Sequence, residues 1–383
     1  MKKLNIFFLL CLTMAMALVS CSDDVPDPID PVRTYTNTVF VYMPWTGSET
    51  SASGSLTNDF RKNLRDIEST IKQGNGNTET RTIVLFADSS ARSRLFEVRD
   101  DSTEYTIANL SDGAMTTEVE LRNLLNSVAD YSHTDTYSII VGSHGSGWLP
   151  AGSRPFETRS FGGTTAGMQT EIKALANAIT SSNIGKMQYI CFDDCYMANI
   201  ETAYALRNAT NWLLASTSEV MAEGLPYYTI WKYLSEPNAD YSGIIDGFGN
   251  YYSNSYGAFS AIDCSKAEEM ATLMKQLNEK YAGWDYDLST IQALDGYRSH
   301  VYYDMGDYIN KVCGNDTVDN RAIYNELKEI VPYKFTTPRI YTVYQGSYTF
   351  PVRTFSGITI SDPSINPAAL QYKESTDWWV ATH

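Results

Sequence analysis

Two strand-forming runs, each ending in a short polar motif, constrain this chain more than any other feature. Tyr137-Ser138-Ile139-Ile140-Val141 leads into Gly142-Ser143-His144-Gly145-Ser146-Gly147-Trp148. Met187-Gln188-Tyr189-Ile190-Cys191 leads into Phe192-Asp193-Asp194-Cys195-Tyr196-Met197-Ala198. Short apolar runs of this kind, bounded by turn residues, read as buried strands. In an open α/β sheet, reactive groups collect outside the carboxyl ends of parallel strands. A His after one such strand can therefore meet a Cys after the next. Imidazole beside thiol supplies a thiolate nucleophile and a proton shuttle, the minimum equipment for acyl transfer.

Strand and helix signals alternate around these motifs. Residues 36–44 read as a buried opening strand. Leu56, Phe60, Leu64, Ile67 and Ile71 mark one apolar face of a helix, which Gly74-Asn75-Gly76-Asn77 ends. A second buried strand spans 82–87, with 94–98 and 105–107 as a small hairpin beside it. Leu121, Leu124, Leu125 and Val128 mark a further helix, capped by Thr116 or Thr117. Helix is expected over 171–179 and 197–206, on either side of the Cys-bearing strand, and a further strand over 211–216. Such alternation predicts βαβ units and a mainly parallel sheet, an α/β fold. Beyond Tyr227 the pattern loosens. A strand is expected at 258–262, a long helix at 267–281, a helix at 302–312 and a late strand at 356–360. No internal repeat is visible, and no linker-like stretch follows residue 35, so 36–383 reads as one domain with C-terminal additions.

The first 20 residues read as a leader. Lys2-Lys3 is a basic start, and residues 6–19 are apolar except for Thr13. That run is too short for a stable membrane span and fits a secretory signal. Leu18-Val19-Ser20-Cys21 resembles a bacterial lipobox, which implies cleavage before Cys21 and lipid attachment to its thiol. Residues 21–35 continue with Asp23, Asp24, Pro26, Asp27, Pro28, Asp30 and Pro31, an extended acidic tether. An acidic patch directly after the lipidated Cys also resembles the surface-export signal of Bacteroidetes lipoproteins. The expected location is the bacterial cell envelope, lipid-anchored at the outer membrane and facing outwards.

The chain of 383 residues has a net charge of −16, and losing Lys2 and Lys3 with the leader takes −16 to −18. This argues against nucleic acid and anionic membrane surfaces as partners and favours cationic ones. With 43% hydrophobic and 13% aromatic residues, it can bury a sizeable core. Six Cys stand at 11, 21, 191, 195, 264 and 313, without the spacing of a disulfide framework. The four His (133, 144, 300 and 383) form no spaced pair for zinc.

From these motifs the chain resembles the clostripain family of cysteine peptidases, which belong with the caspases and gingipains. The resemblance covers most of the mature chain. Its specific parts are His144-Gly145-Ser146-Gly147-Trp148, then Asp193, Cys195, Met197 and Ala198 in one motif. Support comes from residues 170–179, 215–219, 225–227, 259–263, 304–307 and 356–360, and from Trp378 and Trp379 near the end. The resemblance implies a caspase-like three-layer α/β/α sandwich and an endopeptidase cutting after Arg or Lys through a Cys–His dyad. Cys195 would be the nucleophile and His144 the general base and acid. The N–H groups of Gly145 and Cys195 would hold the oxyanion. Asp193 would sit at the base of the pocket for the residue before the cut bond, where a carboxylate pairs Arg or Lys. Ser216 and Glu219 are further candidates for that pocket.

Asp194 departs from the family, which usually has a small residue between the Asp and the Cys. Turned inward it would oppose ionisation of the thiol; turned to solvent it would change little. Many members cut themselves between the His and the Cys, and here Arg159-Ser160 is the expected cut, since Arg154 precedes Pro155. No cofactor is required by this chemistry. Calcium-responsive members exist, so calcium is an option for the acidic clusters at 285–287 and 304–307. The competing expectation is a catalytically silent caspase-like binding lipoprotein of the cell envelope.

Overall fold

The apolar runs that read as strands lie side by side in one sheet. The computed structural model describes residues 35–152, 161–283, 285–314, 317–344 and 348–383. The leader, Cys21, the tether, Arg154 and Arg159 fall outside them. Nine strands form the central sheet: β1 (Asn37–Met43), β2 (Thr80–Ser89), β3 (Arg92–Val98), β4 (Glu104–Leu110), β5 (Thr136–Gly142), β6 (Met187–Asp193), β7 (Thr210–Ala215), β8 (Ala258–Asp263) and β9 (Tyr333–Thr336). Their order is β9-β8-β7-β6-β5-β1-β2-β3-β4. The five inner strands, β7 to β2, pair in parallel, and antiparallel strands extend both edges.

Strand periodicity divides the core between the two faces. Val39, Val41 and Met43 share one core with Phe60, Leu64 and Ile67 of α1 (Thr57–Lys72) and with Ile230 and Trp231 of α5 (Tyr227–Leu234). Phe40 and Tyr42 share the other with Leu121, Leu124 and Val128 of α2 (Glu118–Ser132) and with Leu175 and Ile179 of α3 (Ile172–Thr180). Burying one such Val, Leu or Ile contributes about 1.5–3 kcal/mol. The result is the expected three-layer sandwich. Thr117 is the cap of α2, in a reciprocal capping box with Glu120. Residues 35–383 form one compact unit. Among the described residues no helix is long and apolar enough to cross a membrane.

Three expectations are corrected. The helix expected over 302–312 begins only at Met305, because Asp304 accepts from Asp307 N and caps it, leaving Tyr303–Asp304 extended. Of 356–360, only Thr359–Ile360 pairs, and it pairs with Tyr303–Asp304 outside the central sheet. The helix after the Cys-bearing strand starts at Ile200 (α4, Ile200–Leu206), where the Asn199 side chain accepts from Thr202 N.

Candidate active site

β5 and β6 are sheet neighbours, paired in parallel with Gly142 opposite Asp193. His144 and Cys195 each stand two residues beyond that paired position, at the same edge of the sheet. Their loops touch. A Cβ on Gly145 would lie 2.6 Å from the Cys195 carbonyl oxygen and 2.7 Å from Asp194 Cγ, so only glycine fits.

His144 is half-buried, with Nε2 at 2.7 Å from the carbonyl oxygen of Gly54. A carbonyl only accepts, so Nε2 carries the hydrogen and Nδ1 of the neutral ring keeps its lone pair. Burial lowers the His144 pKa, and the Gly54 carbonyl opposes this without cancelling it. Cys195 is partly buried, and Val220 N–H donates to its Sγ at 3.3 Å. Burial pushes the thiol pKa up and the Glu219 carboxylate adds to the rise, against the Val220 hydrogen bond. Both shifts favour the neutral forms, imidazole and thiol. The thiolate forms when a base removes the proton.

The turn after Cys195 is strained. Tyr196 has φ 64°, a left-handed conformation uncommon for a bulky side chain. Packing holds it there: its ring stacks on Tyr302 at 5.1 Å and tilts against Tyr297 at 5.4 Å. Strain of this kind persists only where the surroundings over-determine it, and it clusters at functional sites. The Tyr302 hydroxyl donates to the Ser146 carbonyl, tying the aromatic stack to the His144 loop.

Asp193 is buried beneath this turn. Its Oδ1 accepts from Leu225 N at 2.9 Å, and its Oδ2 accepts from Tyr227 Oη at 2.9 Å and Asn63 Nδ2 at 3.4 Å. Burial raises its pKa to about 7, against the bonds from Tyr227 and Leu225. Asp194 points inward: the Ser143 hydroxyl donates to Oδ2 at 3.0 Å. Burial holds its carboxyl well above the usual range, which favours the neutral form. Its effect on the Cys195 thiol is smaller than that of burial or of Glu219.

Ser216 is fully buried and spent on its own turn, donating to Ser218 O and accepting from Ser218 N. Glu219 accepts from Val343 N with both oxygens, at 3.2 Å. It thus ties the segment after Tyr341 to the loop that bonds Cys195. Gly54, Tyr196, Val220 and Tyr302 were not among the sequence candidates.

A family model for the clostripain family, Peptidase_C11, matches residues 52–340. The chain belongs to the clostripain family. Among solved structures, a secreted C11 cysteine protease from Bacteroides thetaiotaomicron, iotapain, is 39% identical with a TM-score of 0.83, over 92% of this chain and 100% of that one. A clostripain from Bacteroides thetaiotaomicron, in complex with the peptide inhibitor BTN-VLTK-AOMK, is 43% identical over 58% of this chain and 99% of that one, with a TM-score of 0.55. An inactive zymogen C11 protease from Parabacteroides distasonis shares the fold at 24% identity and a TM-score of 0.76, over 91% of this chain and 99% of that one. No curated protein matches the chain. As a clostripain-family member it is a cysteine endopeptidase. Among the described residues no group of three or more His, Cys, Asp or Glu is gathered as a metal would need. In this family member, Asp304 is spent on Ser356 and Asp307 N, and Asp307 accepts from Gln292 N.

Proposed function

We propose that this clostripain-family peptidase cuts peptide bonds after Arg or Lys, with Cys195 as nucleophile and His144 as base and acid. The observation that carries this reading is the placement of both loops at one edge of neighbouring parallel strands, with the His144 tautomer set by Gly54. Nδ1 takes the proton of Sγ–H as the sulfur attacks the substrate carbonyl. The tetrahedral oxyanion is held by backbone N–H groups at Gly145 and Cys195. Collapse expels the amine, which takes the proton from His144, and leaves a thioester. Water then attacks, giving its proton to Nδ1, and the thiol returns.

An Arg or Lys side chain entering beside Cys195 is selected by Asp193: burial holds its carboxyl towards the neutral form, and the arriving cation draws out the charged one. The test uses fluorogenic peptides ending in Arg, Lys, Asp or Leu. Turnover far faster after Arg and Lys than after Leu or Asp is expected; turnover only after Leu or Asp would remove Asp193 as selector.

Self-cleavage at Arg159-Ser160 activates the chain. This position lies between the His144 loop and the Cys-bearing strand, in a segment entered through Gly152. Arg159→Ala is expected to leave the chain uncut during incubation, and the smaller wild-type fragment should begin at Ser160. A different first residue on sequencing would remove this site.

Cys21 carries a lipid that anchors the protein in the cell envelope, at the outer membrane with the peptidase domain facing outwards. The lipobox-like Leu18-Val19-Ser20-Cys21 and the acidic tether support this. Cys21→Ser should move the expressed protein from the detergent phase to the aqueous phase on phase partitioning. Retention in the detergent phase would contradict it.

A further inference from the structure

A cavity of about 560 Å³ opens between the loop 291–303 and the end of the hairpin 339–351, outside the His144–Cys195 site. Arg298, His300 and Arg353 line it, and Asp295 is the only acid in its wall among the described residues. That composition is unusual in a chain of net charge −16. Neither the Arg298 nor the Arg353 guanidinium has an ion pair among the described residues.

Two buried polar residues fix the His300 ring and the backbone from which Arg298 and Arg353 project, the two arginines themselves being exposed. Asp295, fully buried, accepts from Val301 N and Tyr302 N at 2.7 Å and from Tyr297 N at 3.0 Å, closing the loop. Its Oδ1 also takes the His300 Nδ1–H, at 2.8 Å. Burial opposes the charge on His300, but Asp295 outweighs it and raises the pKa above 6.5. Gln292, also buried, accepts from Arg353 N at 2.8 Å and donates to Ala293 O and Pro351 O. The hairpin end that carries Arg353 is thereby fixed to the loop that carries Arg298 and His300.

We propose that this cavity is a binding site for an anionic ligand, in which Arg298, His300 and Arg353 grip a carboxylate, phosphate or sulfate group. Guanidinium forks match such oxyanions bidentately. Partial enclosure strengthens the attraction relative to an open surface. The volume falls within the range of small-molecule sites, and Ile291 and Phe350 supply apolar wall. The ligand is therefore an oxyanion with an organic body.

The test titrates the full-length protein with sodium phosphate, sodium sulfate and triglutamate at constant ionic strength, read by calorimetry. The variants are the double change Arg298→Ser with Arg353→Ser, the single change His300→Gln, and Arg61→Ser as a remote control. Saturable binding of at least one probe is expected, weakened about tenfold or more in the double variant, weakened in His300→Gln and unchanged in Arg61→Ser. Saturation by phosphate or sulfate alone assigns a phosphorylated or sulfated ligand; saturation by triglutamate alone assigns a carboxylate one. If circular dichroism shows the double variant to be unfolded, Arg298→Ser alone is read against the same control. No saturable binding of any probe, or equal binding in the folded arginine variant, would overturn the site.

Discussion

Replacing Cys195 with alanine is expected to lower kcat/KM for Arg- and Lys-ending peptides by about four orders of magnitude or more, with the fold retained. The loss is large because the other thiols among the described residues, Cys191, Cys264 and Cys313, are buried and cannot substitute. The structural cost is small. The side chain is partly buried, and its removal orphans one donor, Val220 N–H, worth about 1 kcal/mol. In the proposed mechanism the neutral form of His144 is the base, and burial lowers its pKa from 6.5. For the Leu peptide, which does not draw on Asp193, the acid limb of kcat/KM should therefore lie below pH 6.5, since protons titrate this base away only there. Wild-type rates in Cys195→Ala would remove the nucleophile from the account.

Asp193→Asn is expected to reduce kcat/KM for Arg and Lys peptides about a hundredfold while leaving a slow Leu peptide little changed. The amide keeps an acceptor for Leu225 N but has no charge to offer a cation. In the wild type, KM for Arg peptides should rise as pH falls through about 7, because the proton on Asp193 competes with the substrate cation. In Asp193→Asn that dependence should vanish. Stability moves the other way. The folded pKa lies above the ordinary 3.8, so between about 4 and 7 the folded state holds a proton that the unfolded state has released. Stability is fully present below that window and is lost as pH rises across it. The melting temperature of the variant should therefore gain on the wild type from pH 4 to 7. Equal losses for Arg and Leu peptides would reduce Asp193 to a support of the loop at Leu225 and Tyr227.

The parts of this site that could be read from sequence are those whose signal is local. Ile139, Ile140 and Val141 run straight into His144, and Ile190, Cys191 and Phe192 straight towards Cys195, so strand and reactive group arrive together. Thr117 declared its helix through a hydroxyl three residues before Glu120. What stayed hidden depends on distant chain. The orienting group for His144 is a backbone oxygen of Gly54, and a main-chain atom leaves no mark in the side-chain pattern. Glu219 is visible as an acid, but its partner Val343 N lies 124 residues away. The helices Tyr227–Leu234 and Tyr241–Tyr252 escaped because the second carries Gly243, Gly247 and Gly249, which disfavour helix locally. Packing overrides that cost: a Cβ on Gly249 would sit 2.8 Å from the Phe335 ring.

The most direct test of the central claim is covalent. The full-length protein would be incubated with a peptidyl acyloxymethyl ketone ending in lysine, digested, and mapped by mass spectrometry. A single adduct on Cys195, abolished by His144→Ala and slowed by Asp193→Asn, is the result expected of a His144-activated thiol beside a basic-residue pocket. An adduct on another cysteine, or no adduct under conditions that saturate the wild-type turnover of Arg peptides, would contradict it.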